Sequence, residues 1–196
     1  DVDRSRGLGD VYKRQSLAVA ELVLGIILDL IRKISVHNQE MKEGIWNKKM
    51  GSLFSEKTLG IIGLGNIGKT LIKITQGFGL NYLAYDIFKD EDFSQTYNVK
   101  YCDLKTLLKE SDVISIHLTL NKESIGMISE NELELMKDDA ILVNASRGEI
   151  INEDFLINAL SKNIIGGAGL DVYQTEPYVG PLADCDPGIC RRVCEV

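Results

Sequence analysis

The sequence has no surplus of positive charge: 22 Lys and Arg stand against 29 Asp and Glu, a net charge of −7. That balance argues against non-specific binding to nucleic acid or to an anionic membrane. A long apolar run is missing too. The longest, residues 17–28, contains Glu21 and is closed by Asp29, Arg32 and Lys33, so it is too short and too charged to span a bilayer. Lys13 and Arg14 imitate the start of a secretory signal, but Glu21 interrupts the apolar stretch and no small-residue cleavage site follows. The expectation is a buried amphipathic helix in a cytoplasmic protein. There is no disulfide framework either, because Cys102 is isolated while Cys185, Cys190 and Cys194 crowd the C-terminus. Three close thiols without a nearby histidine do not make a zinc site, so neither a metal nor a functional disulfide is expected. Repeats and low-complexity tracts are absent. What remains is an ordinary globular composition, 44% hydrophobic and 26% charged over 196 residues, enough for one full domain and part of a second.

The stretch that organises the chain lies at residues 57–68. An apolar, β-branched run, residues 59–62, breaks into Gly63-x-Gly65-x-x-Gly68, and a helical pattern follows at once. Strand, glycine turn and helix in that order are the context in which this fingerprint signals dinucleotide binding. Gly63 permits the tight turn, Gly65 lets backbone N–H groups approach a pyrophosphate, and Gly68 lets the helix pack close to the strand. The phosphates would lie at the helix N-terminus, where free N–H groups and the macrodipole favour negative charge. A second strand then ends in Asp86, 18 residues after Gly68, where an acid that binds the ribose hydroxyls belongs. The alternative for Asp86 is an ordinary strand-ending turn residue.

Taken in order, residues 1–15 show no apolar periodicity and are expected to be disordered or foreign to the gene. Ser16 can cap a helix with an apolar face from Val19 to Ile31, and a second helical stretch spans residues 36–43. From Thr58 onward, strands are expected at 59–62, 82–85, 99–102, 113–118, 140–143 and 165–170, and helices at 67–78, 104–110, 130–136 and 153–160. Near-continuous Val/Ile/Leu strands separated by amphipathic helices predict an α/β fold, a doubly wound parallel sheet covered on both faces. The domain is expected to occupy residues 16–183, with an irregular tail at 184–196.

In such a sheet, ligands bind at the carboxyl ends of the strands. Arg147 leaves a buried strand through Ala145-Ser146 and is followed by Gly148. Its fork could hold a carboxylate and polarise a neighbouring carbonyl, or it could simply pair with Glu149. Glu176 could orient a general acid/base, or be a solvated turn acid. His117 ends a strand on the expected cofactor side, where it could also be no more than a hydrogen-bonded strand-end histidine. His37 reads as solvated.

Together, Gly63-Leu-Gly-Asn-Ile-Gly68, His117-Leu-Thr-Leu120, Asn144-Ala-Ser-Arg-Gly-Glu149 and Gly169-Leu-Asp-Val-Tyr-Gln-Thr-Glu-Pro177 resemble the D-isomer-specific 2-hydroxyacid dehydrogenases. The 3-phosphoglycerate dehydrogenase branch is nearest, partly from Glu176-Pro-Tyr-Val-Gly-Pro-Leu182. Glyoxylate or hydroxypyruvate reductases, D-lactate dehydrogenase-like enzymes and a non-catalytic NAD-sensing co-repressor on the same fold are the alternatives. The resemblance implies a Rossmann-type NAD-binding domain acting with a small 2-hydroxy or 2-oxo acid substrate. It places Gly63, Gly65, Asn66, Ile67, Gly68, Asp86, His117, Ser146 and Asp171 with the NAD cofactor, Asp171 near the nicotinamide carboxamide. It makes Arg147 the substrate-binding arginine and Glu176 the partner of a catalytic histidine. It also implies a homodimer in the full-length parent, through the first helices and the arm past Trp46. The family's histidine, in a Pro-His-x-Gly segment, has no counterpart here, and the substrate domain is missing. The expectation is therefore a fragment that binds NAD, rather than NADP, without turning over substrate alone.

Overall fold

The computed structural model describes the backbone of residues 2–184 and 190–192 and the side chains of residues 13–182. The chain opens with two helices, α1 (Val2–Arg32) and α2 (Ile34–Lys42). Strands and helices then alternate: β1 (Thr58–Ile62), α3 (Asn66–Thr75), β2 (Asn81–Tyr85), α4 (Glu91–Tyr97), β3 (Val99–Tyr101), α5 (Leu104–Glu110) and β4 (Val113–Ile116). The second half adds α6 (Glu130–Glu134), β5 (Ile141–Asn144), α7 (Glu153–Ser161), β6 (Gly167–Leu170) and β7 (Cys190–Arg192). All seven strands pair in parallel, in the order β3-β2-β1-β4-β5-β6-β7. The doubly wound sheet expected from the strand pattern is the one that forms. Its strand order reverses between β1 and β4, which is where a ligand crevice opens in such a sheet.

Side chains alternate along each strand, and here both faces are covered. Leu59, Ile61, Val113, Ile141 and Val143 pack on one side with Val23, Ile27 and Leu30 of α1 and Leu71 and Ile72 of α3. Ile62, Ile114, Ile116 and Leu142 pack on the other with Leu107 and Leu108 of α5, Leu133 of α6 and Leu156 of α7. This is why the strands read as apolar runs rather than as an alternating pattern. No helix among the described residues is long and apolar enough to cross a membrane.

Three segments differ from the sequence reading. Residues 2–15, expected to be disordered, continue α1 as helix. Helix nucleation is the costly step, so a segment anchored by burial further along extends upstream at little cost despite having no apolar stripe. The expected Ser16 cap is therefore an interior helical position. Helix α4 escapes the periodicity because it holds one core residue, Phe93; Asp90 caps it by accepting from the Phe93 N–H at 3.0 Å. The tail expected to be irregular contributes β7, which pairs along β6 from Ala168 to Leu170. A three-residue edge strand is set by the free edge beside it, which no local pattern records.

The burial of α1 gives a direct test. Ile27 is 0% exposed, whereas Leu17 is 40% exposed. Ile27→Ala is expected to cost about 2–5 kcal/mol in urea unfolding, and Leu17→Ala less than about 1 kcal/mol. Equal effects would show that α1 does not belong to this core.

Candidate functional site

The glycine turn is built by steric exclusion. Gly63 has φ +95°, and a Cβ there would lie 2.7 Å from the His117 carbonyl oxygen. The turn is tied to both neighbouring strands: Gly63 N–H donates to Tyr85 at 2.9 Å, and His117 N–H donates to Ile62 at 2.7 Å. A Cβ on Gly68 would meet Gly63 O at 2.8 Å and Ile61 Cγ2 at 2.9 Å, so a side chain there would push α3 off the strand. Gly65 is the opposite case. Nothing lies within 4 Å of its would-be Cβ, so the backbone at the start of α3 is bare toward open space. A cleft of about 640 Å³ opens there, lined by Gly65, Asn66, Ile67, His117 and Thr119 and, from α1, by Gln15, Ser16, Ala18 and Val19.

Asp86 is fixed beside this turn. One carboxylate oxygen accepts the Leu64 N–H at 2.6 Å, and the other accepts the Phe88 N–H at 2.9 Å. His117 is set into the same wall. Its Nε2 lies 2.9 Å from Ser115 Oγ, while its Nδ1 is closed off from solvent with no hydrogen-bond partner among the described residues. Burial pushes the imidazole down to about 4, so the ring is neutral at ordinary pH.

A second cluster stands further along the carboxyl edge of the sheet, after β5 and β6. Asn144 is buried at the end of β5. Its Oδ1 accepts from Ser146 N–H at 3.1 Å and Ser146 Oγ at 2.8 Å, and its Nδ2 donates to the Arg147 carbonyl at 2.8 Å. These bonds shape the turn that carries Arg147 outward. Arg147 is exposed, donates from Nη1 to Ser146 O at 2.7 Å, and forms no ion pair with Glu149 among the described residues. A Cβ on Gly148 would lie 2.0 Å from the Tyr173 carbonyl carbon, so this turn and the 171–176 loop are pressed together. Asp171 N–H donates to Asn144 O at 3.0 Å, and Glu176 accepts the Tyr173 N–H at 3.1 Å.

The structure thus brings Gly63, Gly65, Asn66, Ile67, Gly68, Asp86 and His117 into one corner. Ser146, Arg147, Asp171 and Glu176 form a neighbouring one and do not line the cleft. Sequence reasoning missed Ser115, Thr119, the α1 wall and the bracing role of Asn144. An Asn at the end of an apolar strand, two residues before a Ser, is an Asx-turn signal that could have revealed the last. The expectation of no zinc site or disulfide concerns Cys185, Cys194 and the side chain of Cys190, which lie outside the described residues. Among the described residues, no three His, Cys, Asp or Glu gather as a metal site.

The depressed His117 has a consequence for stability. The unfolded imidazole takes up its proton near pH 6.5, whereas the folded one does so only near 4, so between those values the unfolded state binds more protons. The contribution is full above the upper value and lost as pH falls toward the lower one. Stability should drop by about 2 kcal/mol between about pH 7.5 and about pH 5, and the drop should shrink in His117→Leu. Urea midpoints at both pH values measure this. An unchanged drop in the variant would exclude His117 as its source.

Comparison with known proteins fits this geometry. Residues 24–190 match the family described as D-isomer specific 2-hydroxyacid dehydrogenase, NAD binding domain. The chain is 41% identical over 170 residues to a glyoxylate reductase from Thermococcus litoralis, covering 82% of this chain and 51% of that protein. It is 40% identical over 164 residues to a D-3-phosphoglycerate dehydrogenase from Archaeoglobus fulgidus, covering 83% of this chain and 31% of that protein. The structure of D-lactate dehydrogenase with NAD+ from Lactobacillus jensenii superposes with a TM-score of 0.80 at 33% identity, covering 89% of this chain and 58% of that one. The chain therefore spans about half or less of the length of these relatives. With its glycine turn, its anchored Asp86 and its parallel sheet, the chain belongs to the D-isomer specific 2-hydroxyacid dehydrogenase family, as that family's NAD-binding domain.

Proposed function

We propose that the cleft at the start of α3 receives the cofactor's pyrophosphate, with Asp86 on the adenosine ribose, and that the whole protein is an NAD-dependent dehydrogenase of small 2-hydroxy acids. The observation that carries this reading is the pairing of a bare Gly65 with a carboxylate held beside it by two backbone N–H groups. When bound, NAD accepts a hydride from, or returns one to, the carbon bearing the hydroxyl. The chain's own residues bind and orient. Free N–H groups at the start of α3 face the phosphates, and Asn66 and Ile67 line their approach. Asp86 accepts from the ribose hydroxyls and repels a 2′-phosphate. Ser146 and Asp171, on the interlocked turns, face the nicotinamide end. Arg147 is exposed and extends its fork to hold the substrate carboxylate, and Glu176 pairs with a catalytic histidine from outside the described residues. The relatives differ in the substrate they are named for, yet those substrates share a carboxylate next to the reacting carbon, the group an arginine fork reads.

Three outcomes test this. Calorimetric titration should show NAD binding more tightly than NADP, with the gap narrowing in Asp86→Ala; equal affinities in the unsubstituted protein would sink the specificity claim. In the full-length protein, Arg147→Ala should lower kcat/KM by roughly 100-fold or more, since it loosens the substrate at the reacting centre. Self-association is the third. The arm at residues 43–53 exposes Trp46 at 86% and Met50 at 83%, and Glu40 pins it to α2 through Lys49 at 2.9 Å. Contiguous apolar exposure of this kind marks an interface, and the reading assigns it to a second copy of the chain. Light scattering should show a dimer that Trp46→Ser weakens. A monomer at high concentration would count against the assignment.

A further inference from the structure

We propose that Asp90 is a positioning residue for cofactor choice: it engages the Lys69 ammonium, so that the negative charge of Asp86 stays uncompensated and a 2′-phosphate is turned away. The inference rests on the reading of Asp86 as the ribose acid. It adds a second acid, later in the same loop, that acts through a lysine and does not touch the cofactor. Asp86 and Lys69 are both tied to the glycine turn at adjacent residues. Asp86 accepts the Leu64 N–H at 2.6 Å, and the Lys69 N–H donates to Gly65 O at 2.9 Å in the first turn of α3. Lys69 is thus a cation mounted on the turn that Asp86 braces, yet the two do not pair. Its Nζ donates to Asp90 Oδ2 and lies 5.4 Å from the centre of the Phe93 ring. Asp86 forms no ion pair among the described residues.

Asp90 is fixed before it meets the lysine. Its Oδ1 accepts the Phe93 N–H at 3.0 Å, which caps α4, and its backbone N–H donates to the Tyr101 hydroxyl of β3 at 2.9 Å. The Lys69 ammonium, helped by the Phe93 N–H, holds the Asp90 carboxyl below the usual carboxylate range, so the acid is charged at any neutral pH. The other cation of this loop, Lys89, is also engaged elsewhere: its Nζ lies 5.7 Å from the centre of the Tyr101 ring. The Lys69–Asp90 pair is partly solvated, with side chains 27% and 41% exposed, and such pairs contribute little to stability. What it does is place charge. An ammonium on a flexible four-carbon stem holds phosphate as a point charge, and a released Lys69 would offer a 2′-phosphate the counter-ion that Asp86 denies it. With Lys69 engaged by Asp90, the ribose position presents an acid alone.

The test is calorimetric titration of NAD and of NADP into the protein and its variants, read as the ratio of the two Kd values. Asp90→Asn removes the charge and keeps the cap, since Asn and Asp cap helices about equally well; Asp90→Ser does the same with a different side chain and stands in if the amide disturbs folding. Either variant should narrow the preference for NAD by about 5-fold or more, through tighter NADP, and the gain should fade at high salt. Lys69→Met alone should leave the ratio within about 2-fold, because the cation it removes is already engaged. Combining Asp90→Asn with Lys69→Met should return the ratio to that of the unsubstituted protein, which is the signature of one residue acting through the other. A purely structural role for Asp90 would weaken both nucleotides alike and leave the ratio unmoved. An unmoved ratio in both Asp90 variants, or a narrowing that survives in the double variant, would overturn the positioning role and leave Asp86 standing as the ribose acid. Equal affinities for the two nucleotides in the unsubstituted protein, or binding of neither, would overturn both.

Discussion

The site depends on how closely α3 approaches the ends of β1 and β4. Two glycines set that distance. A methyl group on Gly68 would press on Gly63 O and Ile61, and one on Gly63 would press on the His117 carbonyl. With both absent, the first turn of α3 sits directly over the strand ends, and its free N–H groups open into the crevice where the sheet order reverses. The same closeness brings Leu64 N–H within reach of Asp86 and wedges the His117 ring under the turn. Remove the approach and the cleft, the anchored carboxylate and the histidine wall separate together.

The second corner repeats this logic with different parts. Gly148 lets the Arg147 turn press against the backbone of Tyr173 and Gln174, and Asn144 binds the turn to β5 from within. Arg147 and Glu176 therefore ride on loops locked to each other and to adjacent strands. Two neighbouring strand pairs, β1/β4 and β5/β6, thus carry two separate braced clusters on one edge of the sheet.

How far the sequence alone reveals this follows from the range of each interaction. The strands, the glycine turn and Asp86 are local patterns of composition and spacing, and they were legible. So were the residues of the second corner, because their turns follow apolar strands. The extension of α1 was not, because it rests on burial far downstream. β7 was not, because its cause is the unpaired edge of β6. The pairing of Ser115 with His117 sits two residues apart in plain view, yet a serine inside a buried strand announces nothing until the imidazole is seen to lean on it. Asn144 was legible as part of a motif but not as a brace, since its task lies in three bonds to the backbone and side chain of the next turn.

Charge follows from the same arrangement. The chain is net negative at −7, yet it carries a site for a dinucleotide's phosphates. Among the described residues, none lining the cleft bears a charge at neutral pH: Gln15, Ser16, Ala18, Val19, Gly65, Asn66, Ile67 and Thr119 are uncharged, and burial keeps His117 neutral. The oriented dipoles of α3 and its free N–H groups supply attraction there, at short range and along the helix axis. A lysine there would attract phosphate from any direction, whereas neutral donors act only along the direction in which they point. Asp86 stands as a fixed charge beside the turn at the end of β2, held by the Leu64 and Phe88 N–H groups, while Arg147 and Glu176 follow β5 and β6.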